Sequence, residues 1–194
     1  MRVFVAIDIG ERMRGLIEDL QRKLIGEATA DGMDHRHARW VRPEAMHLTL
    51  KFLGNVADGA VPSVCEAVAE VAGRHRPFEL ELAGVGWFGG KAARVLWVGA
   101  GDGGESLRLL QGDLEGRLAR DGWPAEARHF TGHLTLCRVK NQRASVKIAE
   151  IGGRYRQSRL GCIGVEAVNV YSSLLRPEGA EYTVLACCSL SGVR

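Results

Sequence analysis

The chain has 194 residues, enough for one domain or two small packed lobes, and apolar residues make up 46% of it, so a core can form without metal or disulfide. No apolar run approaches the roughly 18 residues of a membrane span. The short stretch after Met1 meets Asp8 early and lacks a cleavage site, so the expectation is a mature cytoplasmic protein without a signal peptide. A net charge of +3 suits a phosphate-bearing partner and is far from that of a nucleic-acid coat protein.

In chain order, residues 2–9 read as a strand and residues 11–25 as a helix with Leu16, Leu20 and Leu24 on one face. A polar loop over 26–39 leads to a strand over 46–53. A helix over 59–72 carries Val61, Val64, Val68 and Val71, and a strand over 78–88 closes the first half. The second half repeats the order: a strand over 94–98, a helix over 105–120 striped by Leu107, Leu110, Leu114 and Leu118, and a strand over 133–139. A short helix over 144–151 follows, then strands over 161–171 and 181–190. The predicted fold is α+β in one domain over 1–194. It has two intertwined, pseudo-symmetric lobes of antiparallel sheet, helices outside, and a central cleft.

The repeat is visible in the residues themselves. Arg2-Val3-Phe4-Val5 aligns with Arg94-Val95-Leu96-Trp97, and His47-Leu48-Thr49-Leu50 recurs as His133-Leu134-Thr135-Leu136. A chance second copy of a given tetrapeptide belongs to about one chain of this length in several hundred, so an internal duplication is the better account. Strand alternation puts His47, Thr49 and Lys51 on one face and Leu48, Leu50 and Phe52 on the other. In the second copy His133 and Thr135 share a face. If the lobes face each other, the two His-Thr pairs meet in the cleft.

Two histidines are the residue type for moving protons near neutral pH, one giving and one taking, which implies a bell-shaped pH profile. Thr49 and Thr135 are placed to bond the non-bridging oxygens of a phosphate, and Lys51 could add charge. Five cysteines in an odd count, with no Cys-x-x-Cys spacing, read as buried reduced thiols. His35 and His37 sit with Asp31, Asp34 and Arg36 in a loop that reads as solvated, because no third metal ligand falls at a recognisable spacing. Trp87, Phe88 and Phe130 read first as core, with stacking on a base the alternative.

With these residues in hand, the chain resembles the two-histidine phosphoesterase superfamily, and within it the RNA 2′,3′-cyclic phosphodiesterases, also called 2′-5′ RNA ligase-like proteins. The resemblance runs from Arg2-Val3-Phe4-Val5-Ala6-Ile7 through Trp40-Val41-Arg42-Pro43 and the first motif. It continues to Phe130-Thr131-Gly132-His133-Leu134-Thr135-Leu136-Cys137-Arg138. It implies metal-independent hydrolysis, without cofactor, of a 2′,3′-cyclic phosphate on an RNA end or small nucleotide, leaving a 2′-phosphomonoester. It also implies His47 as proton donor, His133 as acceptor and Arg138 on the phosphate, with no membrane and no obligate protein partner. By alternation Arg138 points away from Thr135, so a bulge or strand end must bring it in. Gly132 departs from the proline that the family commonly has before the second histidine, which implies slower or less precise catalysis at most.

A 2′-5′ ligase or phosphodiesterase, or an enzyme of small cyclic nucleotides, would share the same pair. A non-catalytic RNA-end binder would need the threonines and arginine but not two histidines. A metallohydrolase fits least, because the motif strands carry no carboxylate.

Overall fold

The computed structural model describes residues 1–176 and 179–193, with the backbone alone for His35. In chain order the elements are β1 (Arg2–Asp8), α1 (Gly10–Ala30), β2 (Ala38–Trp40), β3 (His47–Asn55), α2 (Val61–Ala72), β4 (Phe78–Phe88) and β5 (Val95–Ala100). Then come α3 (Gly104–Arg120), β6 (His133–Val139), α4 (Gln142–Arg154), β7 (Arg159–Val165), β8 (Ala167–Arg176) and β9 (Gly179–Ser189).

The strands form two antiparallel sheets, one in the order β3-β1-β8-β9 and one in the order β2-β6-β5-β4-β7. This is the α+β architecture of two antiparallel sheets that was expected. α1 follows a strand of the four-stranded sheet yet packs with α4 against the five-stranded one, while α3 follows β5 and packs with α2 towards β3, β8 and β9. One apolar core runs through both layers, from Ile17 and Leu24 of α1 to Leu107 and Leu114 of α3. β1 is a continuous apolar run because both its faces are covered: Val3, Val5 and Ile7 join that core, and Phe4 and Ala6 join a small aromatic cluster on the opposite face.

Element ends differ from the sequence reading where tertiary contacts decide them. α1 continues past the predicted end to Ala30 because Ala28 is buried and Glu27 is held by Arg154 and the Tyr155 hydroxyl. α4 starts two residues earlier than expected, since the Asn141 side chain accepts from the backbone N–H groups of Arg143 and Ala144 at 2.9 and 3.2 Å. The single strand expected over 161–171 is in fact two, β7 and β8, in different sheets. The buried positions run Ile163 and Val165, then Val168 and Val170, so the alternation slips by one residue beside exposed Glu166, where the chain crosses between the sheets.

The thiol expectation needs correction as well. Cys137 and Cys188 are buried, Cys65 is half-buried, and Cys162 and Cys187 face solvent. Among the described residues no helix is long and apolar enough to cross a membrane.

Candidate active site

The two His-x-Thr strands are built alike. Along β3 and β6 the residues from histidine onward alternate half-buried and buried up to a second leucine, and there the alternation slips. Opposite β3, Ala6 pairs with Thr49 and Val5 with Lys51, so Leu50 is the extra residue of a bulge. Opposite β6, Trp97 pairs with Thr135 and Leu96 with Cys137, so Leu136 is its counterpart. A bulge of this kind reverses which face the following residues occupy. The residue five past each histidine is therefore returned to the cleft face.

That slip brings Arg138 in, as required, and it corrects the reading of the first copy. Lys51 does not share the face of His47 and Thr49. It is 6% exposed and turned to the opposite side, where its Nζ pairs with Glu115 and donates to the Pro124 carbonyl at 2.6 Å. Phe52, expected on the core face, instead stands 65% exposed on the cleft. The register also moves the repeat by one residue: Phe4 faces Phe52 where Val95 faces Arg138, so Phe4 matches Val95 and not Leu96.

A cleft of about 410 Å³ lies between the sheets, and His47, Thr49, His133, Thr135 and Arg138 all line it. Of the expected site residues, only Lys51 is missing from it. Three aromatic rings that were not expected at the site cluster beside His47, and two of them, Phe4 and Tyr182, line the cleft. Phe4 lies 4.6 Å from the imidazole, Tyr182 meets it edge-on at 5.1 Å, and Tyr171 stacks on Phe4 at 5.1 Å. His133 is held edge-on by Phe88 at 4.9 Å, with Trp97 behind it at 6.3 Å. Gly86, opposite Trp97 in register, leaves room for that indole, since a Cβ there would come within 2.2 Å of its ring atoms.

The His133 imidazole is oriented by backbone. His133 Nδ1 lies 2.7 Å from the Thr131 carbonyl, so the proton sits on Nδ1 and Nε2 is left free to accept another. Beside His47 the Ala45 backbone favours the protonated ring. Burial is the main influence on both rings: it pushes His47 down to about 4 and also lowers His133. The charged neighbours differ in sign. Asp8, opposite His47 in register, favours the protonated ring, and Arg138 favours the neutral form of His133.

A model of the LigT like Phosphoesterase family matches residues 18–97. An RNA 2′,3′-cyclic phosphodiesterase of Methanothermobacter thermautotrophicus is 32% identical over 184 residues, covering 94% of this chain and 95% of its own. The chain belongs to the LigT-like phosphoesterase family. The family model takes in the first motif alone, whereas the archaeal relative extends across both. Two solved structures share the fold of this LigT-like chain. A Thermus thermophilus protein matches with a TM-score of 0.80 and 28% identity over the whole of both chains. Escherichia coli LigT complexed with 3′-AMP matches with a TM-score of 0.73 and 25% identity over 98% of each.

The other candidate residues lie elsewhere. Among the described residues no three His, Cys, Asp or Glu side chains converge as a metal-ligand set. His37 is exposed, and the side chain of His35 is outside the described residues. Trp87 packs against the core with Arg156 over its ring. Gly132 abuts α3, and a Cβ there would meet Leu107 Cδ2 at 2.5 Å, so the position favours a residue without a side chain.

Proposed function

We propose that the cleft hydrolyses the 2′,3′-cyclic phosphate at an RNA end to a 2′-phosphomonoester, with His47 and His133 as the acid and base and no metal taking part. The observation that carries this reading is the meeting of both His-Thr pairs and Arg138 in one cleft. Water attacks phosphorus as His133 Nε2 takes its proton. The bond from phosphorus to the 3′ oxygen breaks as His47 supplies a proton to that oxygen. Thr49, Thr135 and the forked guanidinium of Arg138 hold the non-bridging oxygens, where charge builds in the transition state.

Pairwise charge supports this division of labour, since Asp8 favours protonated His47 and Arg138 favours neutral His133. Burial works against a protonated His47 in the empty cleft, so the phosphate's own negative charge has to recruit the proton. Phe52, exposed at the cleft, offers a flat face to the terminal base. The names of the relatives agree: the archaeal protein is an RNA 2′,3′-cyclic phosphodiesterase, and the E. coli structure holds a nucleoside monophosphate. The proposal extends to one domain over 1–194, derived from a duplicated unit, in a cytoplasmic setting consistent with five free thiols.

The test is to incubate the protein in excess EDTA with a short RNA ending in a 2′,3′-cyclic phosphate and to map the product. A 2′-phosphate formed despite the chelator supports the reading. A 3′-phosphate would reverse the assigned leaving group. No product would remove the substrate claim and direct attention to 2′-5′ linkages.

A further inference from the structure

Arg39, Arg42 and Arg138, together with Arg2 of the cleft lining, surround Tyr182 where the five-stranded sheet ends beside the cleft. β2 is the edge strand of that sheet, and its Arg39 lies directly opposite Arg138 of β6. Both are exposed, and among the described residues neither has a carboxylate partner. Like charges directly opposed across a ladder are destabilising, and a three-residue edge strand has little pairing to absorb the repulsion. Arg42 follows at the entry to the first motif. Its guanidinium lies along the β8–β9 hairpin at Gly179, where a Cβ would come within 3.3 Å of Nη2. The φ of 146° at Gly179 also favours glycine, so the arginine is seated on bare backbone. Arg39 and Arg42 stand outside the lining of the cleft, while Arg138 is part of it. Both also lie near enough to Tyr182 in the cleft lining to act on its hydroxyl.

The cyclic phosphate occupies Arg138 alone, so the repulsion between Arg39 and Arg138 is left only half relieved. An RNA end brings a second anion one nucleotide away, whereas a mononucleoside cyclic phosphate brings none. Guanidinium forks suit phosphodiester oxygens and can follow a backbone without reading its sequence. We propose that Arg39 and Arg42 form a second subsite that holds the phosphodiester one nucleotide upstream of the cyclic end, making the enzyme selective for an RNA strand over a mononucleoside. This rests on the reading of the cleft given under Proposed function.

The experiment compares kcat/KM on a mononucleoside 2′,3′-cyclic phosphate with that on a short RNA ending in the same nucleotide. Wild type, Arg39→Gln, Arg39→Lys and Arg39→Gln/Arg42→Gln are run at several salt concentrations. Wild type is expected to favour the RNA. The double variant should lose about tenfold or more on RNA, the scale of a charge-assisted contact, with the mononucleoside rate unchanged. Arg39→Lys should keep most of the preference. The fall of log(kcat/KM) with log salt on RNA should become shallower, by about 0.7 for each contact removed. Equal loss on both substrates, no loss on RNA, or a wild type indifferent to the upstream nucleotide would each overturn the subsite. A wild type inactive on both substrates would instead overturn the reading of the cleft, and the subsite with it.

Discussion

β3 and β6 carry the same tetrapeptide and the same bulge, and they diverge at the two residues that follow. On β3 these are Lys51 and Phe52, and on β6 they are Cys137 and Arg138. The position after the bulge faces inward in both copies: β3 puts a buried cation there that needs Glu115, and β6 a buried thiol. The next position faces the cleft in both, and there the first copy offers an aromatic face and the second a charge. Symmetry thus supplies two equivalent histidines, the proton carriers of the proposed reaction. The divergence beside them distinguishes the half of the cleft suited to a base from the half suited to the phosphate. Asp8 beside His47 and Arg138 beside His133 extend the same asymmetry to the imidazoles.

The largest expected effect is what the two copies share. His47→Ala and His133→Ala should each lower the rate on RNA cyclic phosphate by about 10²–10⁴-fold, with the melting temperature little changed. A loss confined to one of them would mean that the copies are not functionally equivalent. Arg138→Gln comes next, with a fall in kcat of about 10²–10³-fold as transition-state charge loses its donor. Phe52→Ala should show the contrasting signature: KM rises by about tenfold on loss of stacking, with kcat near wild type. If Phe52→Ala lowered kcat as much as Arg138→Gln does, the division between base side and phosphate side would fail.

Lys51 and Cys137 differ in stability more than in chemistry. Lys51→Met should destabilise by about 3 kcal/mol, read in a denaturant melt, because the half-buried Glu115 carboxylate is left beside Gln111 and the Glu126 N–H without its cation. The smallest change expected is a spectroscopic one. In the empty cleft the His47 ring should titrate near 4, well below its ordinary 6.5, and inorganic phosphate should raise that midpoint in an NMR titration. Because the folded values of both rings are depressed, the unfolded chain takes up protons first. The His47 contribution to stability is complete above about 6.5 and is lost as pH falls towards 4, His133 acts in the same direction, and His47→Gln should lessen the acid loss.

The fold and the meeting of the two histidines in one cleft were legible because a repeated tetrapeptide in a period-two pattern carries both. Alternation also exposed its own failure at Arg138, where a functional side chain pointed the wrong way unless a bulge intervened. The same reasoning was available for β3, since Phe52 stands as far from His47 as Arg138 does from His133. Without that comparison Lys51 passed for a cleft residue. The aromatic cluster of Phe4, Tyr171 and Tyr182 was hidden because strands distant in sequence meet only through sheet order. The break at Glu166 left only a one-residue slip between Val165 and Val168, which reads equally well as a bulge within a single strand. The Lys51–Glu115 pair joins a strand to a helix far along the chain, and no local pattern announces it.

The central claim is that His47 and His133 act as one proton-transfer unit. It is tested most directly by measuring kcat for His47→Ala, His133→Ala and the double variant on one RNA cyclic phosphate in EDTA. Removing either member disables the unit, so the double variant is expected at nearly the same residual rate as the two singles. A double variant whose loss is the product of the single losses would show two independent contributions, and activity retained in either single would place the chemistry elsewhere.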